Sequence, residues 1–237
     1  MKRIHARLLF CSLMMISSLR VFAGDAAVFH DIGFSKDGKT YIFAQYGRTD
    51  RKYEAWAEIY TVDVAANDYV SGGVFLTKPS PATNNKSGKQ AFTELNARAA
   101  WTLKKYECKT VEAKNLLYVR DAEFKKSTDE IVFKDFTSST EEKSIFYHIQ
   151  LVPTVSGSGK NVSSKFYINM EKKDSDGNLL LSKKVGTPDL VRKGISGYRI
   201  DRIFTDDSGK SIVFIVEKTM VDDTGTSIRY MVETVRL

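Results

Sequence analysis

Three stretches of this chain carry residue types that could do chemistry. The first, Gly33-Phe34-Ser35-Lys36-Asp37-Gly38-Lys39-Thr40, fits the phosphate-binding pattern G-x-x-x-x-G-K-[ST] letter for letter. That chemistry needs a helix beginning at the Lys-Thr pair, so that backbone N–H groups converge on phosphate. Tyr41-Ile42-Phe43-Ala44-Gln45-Tyr46 follows instead, aromatic and β-branched. A strand is expected there, no phosphate cradle assembles, and the eight residues read as a hairpin turn with Gly38 at positive φ. The second stretch, Asp174-x-Asp176-Gly177-Asn178, echoes a calcium loop. It lacks a third ligand at the right step and the acid twelve positions along, so it too reads as a turn. The third, Gly47 to Trp56, is charged and aromatic together and long for a hairpin. Trp, Tyr and Arg are the usual anchors of recognition surfaces, which makes Arg48, Asp50, Arg51, Tyr53 and Trp56 the candidate ligand-binding residues. The competing reading packs Trp56 in the core and leaves the charges solvated.

Nucleophilic hydrolysis needs a nucleophile, a base and an orienting group. Beyond residue 23 the histidines are His30 and His148, and no Gly-x-Ser-x-Gly occurs. Neither histidine sits in a signature, and two of them do not make a metal site. Cys108 stands alone after residue 23, too few for an internal disulfide or a zinc site. No cofactor and no metal are expected. Carboxylates that converge only in the fold keep a hydrolase open as an alternative, and Tyr53 with Trp56 keep a carbohydrate binder open.

The elements that would position these residues are mostly strands. Runs at 29–34, 40–46, 55–64 and 68–76 are separated by short polar turns, as an antiparallel meander requires. Residues 79–88 hold two prolines, two asparagines and a glycine, a break before a helix expected over 89–108. Phe92, Leu95, Ala99, Leu103 and Tyr106 fall on one face of that helix, which must cover a sheet. Short runs at 116–119 and 131–133 precede strands expected at 144–155, 165–172, 178–184, 198–204, 211–218 and 227–237. The fold class is mainly β: antiparallel sheets, as a sandwich or a partial propeller, with one amphipathic helix packed on them.

The opening segment addresses compartment. Lys2, Arg3 and Arg7 precede an uncharged stretch from Leu8 to Leu19, and Val21-Phe22-Ala23 supplies the −3 and −1 positions before Gly24. This is the layout of a secretory signal peptide, and the apolar stretch is too short to span a bilayer. Cys11 lies inside that stretch after bulky Phe10, a poor context for lipidation. Losing residues 1–23 removes four basic residues and no acidic one, taking the net charge from +7 to +3. Such a balance does not point to nucleic acid.

Two resemblances follow from quoted residues. Ile32-Gly33-Phe34-Ser35-Lys36-Asp37-Gly38-Lys39-Thr40-Tyr41 and Arg202-Ile203-Phe204-Thr205-Asp206-Asp207-Ser208-Gly209-Lys210-Ser211 resemble each other and the repeat of TolB-type periplasmic propellers. The chain between them does not repeat at a blade period, so two related hairpins in one sheet system are expected. Gly33-Phe34-Ser35-x-Asp37-Gly38, Tyr46-Gly47, Asp50 and Ala57-Glu58-Ile59-Tyr60-x-Val62-Asp63-Val64 also resemble a family of bacterial predicted secreted proteins of unknown function. Arg51 to Trp56 replaces the Gly-Pro-containing loop which that resemblance implies. The resemblance implies location and not chemistry.

The expected organisation is a signal peptide over 1–23, a β meander over 24–78, a linker and helix over 79–128, and an antiparallel region over 129–237 that forms one domain with the meander. The expected function is a periplasmic or secreted, non-catalytic binding module. Its partner is an envelope protein or a small ligand, and no transmembrane segment remains after signal removal.

Overall fold

Aromatic and β-branched runs punctuated by Asp-Gly turns fold into thirteen strands among residues 25–121, 129–222 and 225–237, the residues that the computed structural model describes. The expected leader over 1–23, with Cys11, lies outside the described residues, as does 122–128 at the end of the expected linker segment. The strands are β1 (Val28–Phe34), β2 (Thr40–Arg48), β3 (Ala55–Asp63), β4 (Asp68–Thr77), β5 (Leu116–Val119), β6 (Ile131–Lys134), β7 (Ile145–Ser156), β8 (Ser163–Asp174), β9 (Leu179–Val185), β10 (Arg192–Lys193), β11 (Ile195–Thr205), β12 (Ser211–Asp222) and β13 (Gly225–Arg236). The helix α1 runs Gly88–Lys104.

All strand pairs between these elements are antiparallel. The first sheet is the meander β1-β2-β3-β4; the middle sheet is β6-β7-β8 with β9 and β10 both paired to β8; the C-terminal sheet is β5-β11-β12-β13. The sheets stack face to face and close no barrel.

The order of layers follows from which side chains share a core. Ala91, Leu95 and Ala99 of α1 pack on Ile42, Ala44, Ala55, Ala57 and Ile59 of the first sheet. Tyr41, Phe43 and Val62, on the other face of that sheet, meet Phe204, Val213, Ile215 and Val232 of the C-terminal sheet. Ile212, Phe214 and Val216 turn the opposite way, onto Ile149, Phe166, Ile168 and Met170 of the middle sheet. The layers therefore run helix, first sheet, C-terminal sheet, middle sheet. β12 lies in the centre, with both faces covered. That explains why Ile212 to Val216 reads as a continuous apolar run with no alternation. Removing the Phe214 ring there should destabilise the fold by about 3–5 kcal/mol.

α1 begins where expected because Ser87 caps it. The Ser87 hydroxyl accepts the Gln90 N–H at 3.2 Å, and the Gln90 side chain accepts the Ser87 N–H at 2.7 Å. Small residues let the helix come close: a Cβ at Gly88 would stand 2.9 Å from the Gly47 backbone. The helix stops at Lys104, four residues before the expected end. Glu107 takes φ 49°, and Lys109 exchanges backbone hydrogen bonds with Phe34 at 2.9 and 3.2 Å, so the chain is claimed as an extended partner of β1.

The two related hairpins lie in different sheets of the stack and do not pair with each other. One joins β1 to β2 in the first sheet and the other joins β11 to β12 in the C-terminal sheet. Their turns meet across the interface, where the Ser211 hydroxyl donates to the Gly38 carbonyl at 2.7 Å. A Cβ at Gly38, whose φ is +67°, would stand 2.3 Å from Asp206 Oδ2. Each hairpin buries its own face against the other, which a common sheet would not allow.

Candidate functional site

The Gly47–Trp56 loop closes on itself. Thr49 and Glu54 pair through backbone and side chain, and Arg48 Nε donates to the Tyr53 carbonyl at 2.8 Å. Arg48 Nη2 reaches the Asn84 carbonyl at 2.9 Å, and its guanidinium lies 5.4 Å from the Tyr53 ring centre. Arg48, Arg51 and Tyr53 are exposed and Asp50 is half-buried. Trp56 points inward and is 3 % exposed. Its indole N–H donates to Asp25 Oδ2 at 3.3 Å, and Arg229 lies 4.0 Å over its ring. The fold thus brings Arg48 and Tyr53 together on the surface and separates them from Trp56, which works in the body.

The phosphate-like stretch is a hairpin, with β2 beginning at Thr40. The calcium-like stretch is a turn organised by Asp174. Its Oδ1 accepts the N–H groups of Asp176 and Asn178, while its Oδ2 accepts Asn178 Nδ2 at 3.0 Å and Lys143 Nζ at 2.7 Å. His30 packs on Phe92, and His148 Nδ1 sits 3.1 Å from Glu130. Among the described residues, no group of three or more His, Cys, Asp or Glu side chains is placed to hold a metal. Cys108 is half-buried, and burial pushes its thiol up to about 12, with Asp31 and Asp37 adding to the effect.

Carboxylates do converge in the C-terminal sheet. Asp201 and Glu217 both approach Arg120 Nη2, at 3.4 and 2.9 Å, and Asp201 also takes Arg202 Nε at 2.8 Å. The arrangement is an ion-pair cluster that anchors the chain after β5.

A concave site lies where the three sheets come together. Val62, Ala66, Asn67, Asp68 and Tyr69 come from the first sheet and its β3–β4 turn. Thr187, Leu190 and Arg192 come from the segment between β9 and β10 of the middle sheet, and Met231, Val232 and Glu233 from β13. They enclose a cleft of about 340 Å³, within the range of small-molecule sites.

Its floor is a buried polar network. Glu233 is 3 % exposed and accepts Asn67 Nδ2 at 2.6 Å and Arg192 Nη2 at 3.3 Å. Asn67 holds the left-handed φ of 53° at its turn, and its side-chain Oδ1 accepts the Thr234 N–H at 2.6 Å. Arg192 in turn lies 4.9 Å over Phe166. Burial pushes the Glu233 carboxyl above the usual range, against the pull of Asn67 and Arg192. The Tyr69 phenol is pushed up to about 12, first by burial and then by the charges of Glu233 and Glu58. Over the whole residue Tyr69 is 44 % exposed, and Leu190 and the neighbouring Val191 are exposed as well. The site therefore combines an apolar rim with fixed donors and acceptors below it.

None of these residues stands out by motif. The signal in the sequence lies in β13, where Glu233 shares a face with Met231 and Val235, which pack on the core. A carboxylate on an inward-facing side must be paired, and pairing inside a strand marks a polar site. Arg192 was invisible because its two-residue strand exists only through its pairing with Ser163 and Ser164.

A second cleft, of about 420 Å³, opens beside the paired turns and is lined by Ser35, Lys36, Lys109, Thr110, Asp206 and Asp207 among others. Its charges are mixed and its rim is the solvated face of two turns.

A family model described as "Predicted secreted protein (DUF2259)" matches residues 42–236, most of the chain. No curated protein and no solved structure matches the chain.

Proposed function

Since the chain belongs to this family of predicted secreted proteins, we propose that it works outside the cytoplasm, in the periplasm or beyond, as a non-catalytic binding module for a small polar ligand. The ligand enters the cleft at the junction of the three sheets. One observation carries the reading: a concave space of about 340 Å³ has exposed Tyr69 and Leu190 at its mouth and the buried Glu233–Arg192–Asn67 network at its floor. An apolar wall fixes a ligand by area, and a few pre-oriented polar groups fix its orientation. The volume suits a small molecule better than a protein segment. The floor groups hold one another in place, so binding would require little reorganisation. Among the described residues no helix is long and apolar enough to cross a membrane.

The test is a thermal-shift panel of amino acids, monosaccharides and polyamines on the chain lacking residues 1–23, repeated on Leu190→Asp. At least one class should raise the Tm of the unsubstituted chain in a saturable way and fail to do so on Leu190→Asp. No shift from any class, or an equal shift on both proteins, would refute the cleft.

A further inference from the structure

β13 is an edge strand of the C-terminal sheet and one wall of the cleft. Its register with β12 runs without a shift from Arg236 to Gly225. In such a ladder alternate residues turn their N–H and C=O towards the partner strand, and the others turn them outward. Three contacts fix the outward set. Ile228 N–H donates to the Asp25 carbonyl at 2.8 Å, Tyr230 N–H to Gln45 Oε1 at 2.8 Å and Thr234 N–H to Asn67 Oδ1 at 2.6 Å. Val232 stands between the last two at the same spacing, so it faces outward with them. Its N–H and C=O have no protein partner among the described residues, although Val232 is only 7 % exposed. Shielded main-chain groups are rarely left unpaired, and an exposed edge is normally covered. Here the N–H groups on either side are covered and the one at Val232, inside the cleft, is open.

Arg192 lines the same cleft. Its guanidinium is held over Phe166, yet both of its hydrogen bonds are long, 3.3 Å to Glu233 Oε1 and 3.4 Å to the Leu190 carbonyl. Charge-assisted N–H···O bonds are ordinarily about 2.7–2.9 Å. Glu233 makes its short contact with Asn67 instead, at 2.6 Å. The guanidinium therefore keeps donors for a stronger acceptor, and a carboxylate matches its fork. We propose that the cleft binds the C-terminal residue of a short peptide, whose amide N–H donates to the Val232 carbonyl and whose carboxylate accepts the Val232 N–H and Arg192. Exchange of two bonds with one strand residue is the antiparallel addition of a strand, cut to a single residue. The side chain of that residue lies against the apolar rim. Of the ligand classes named above, amino acids alone carry the carboxylate, and a peptide adds the amide. This inference rests on the cleft reading above and names the class of ligand.

The experiment is titration calorimetry of the chain lacking residues 1–23 with three probes. They are alanyl-leucine, its depsipeptide (an ester oxygen in place of the peptide N–H) and its C-terminal methyl ester. Alanyl-leucine should bind saturably, the depsipeptide about fivefold more weakly and the methyl ester about tenfold more weakly. Arg192→Gln should erase the preference for the free acid over the methyl ester and keep the preference for the peptide over the depsipeptide. Equal affinity for all three probes, or no binding of alanyl-leucine, overturns the proposal. If Arg192→Gln does not fold, the three probes on the unsubstituted chain still decide. A monosaccharide or polyamine that binds where alanyl-leucine does not would overturn the ligand class and leave the cleft standing, whereas no binding by any compound would overturn both.

Discussion

Replacing Gly38 with alanine probes the contact that joins the first and C-terminal sheets. Gly38 has φ +67°, a conformation that costs an L-residue about 1 kcal/mol. The added Cβ would also stand 2.3 Å from Asp206 Oδ2 and 3.1 Å from Ser211 Oγ. Asp206 cannot retreat freely. Its carboxylate accepts the N–H groups of Lys210 and Ser211 at 2.9 and 2.8 Å and the Ser208 hydroxyl at 2.6 Å. Displacing it should sacrifice one such charge-assisted bond, about 2 kcal/mol. The total is about 3 kcal/mol. Gly177→Ala is the control: its φ is +83°, but nothing lies within 4 Å of the added Cβ. It should lose about 1 kcal/mol, and the gain from a stiffer unfolded chain is common to both variants. Urea unfolding of the two, at unchanged m-value, should therefore separate them by about 2 kcal/mol. Variants that agree within about 0.5 kcal/mol would refute the packing of turn on turn.

Three further outcomes follow from burial and charge. Trp56 is 3 % and Trp101 89 % exposed, so acrylamide should quench one component of the tryptophan fluorescence, and Trp101→Phe should leave only the protected one. Cys108, pushed up to about 12, should react with a disulfide reagent at pH 8 at least about a hundredfold more slowly in the native state than in urea. Asp174 is held well below its ordinary 3.8, first by Lys143 and then by Asn178. Its contribution to stability is thus complete above pH 3.8 and is lost as pH falls towards the folded-state value. Asp174→Asn should lower Tm at pH 7, and the gap to the unsubstituted chain should close on acidification below pH 4.

Much of this fold is legible from pattern alone. The strands at 40–48, 55–63 and 211–222 alternate or run apolar as their burial requires, and Ser87 with Gln90 announces the start of α1. What one residue's neighbours do not encode was missed. The end of α1 depends on Lys109 pairing with Phe34 across the chain, and β10 exists only beside β8. Which sheet each related hairpin joins is not encoded in its own residues: two surfaces that each need covering settle face to face. The loop at 47–56 is conspicuous in the sequence because its residues are chemically rich. The cleft around Glu233 is not, because Asn67, Arg192 and Glu233 are far apart in the sequence and meet only when the three sheets pack.

The most direct measurement is a ¹⁵N–¹H NMR titration of the chain lacking residues 1–23 with the small molecule that gives the largest thermal shift. Saturable perturbations confined to residues 66–69, 187–192 and 231–233 are the expected result. Perturbations that map instead to residues 47–56, or to the turns around Lys36 and Asp206, would contradict it.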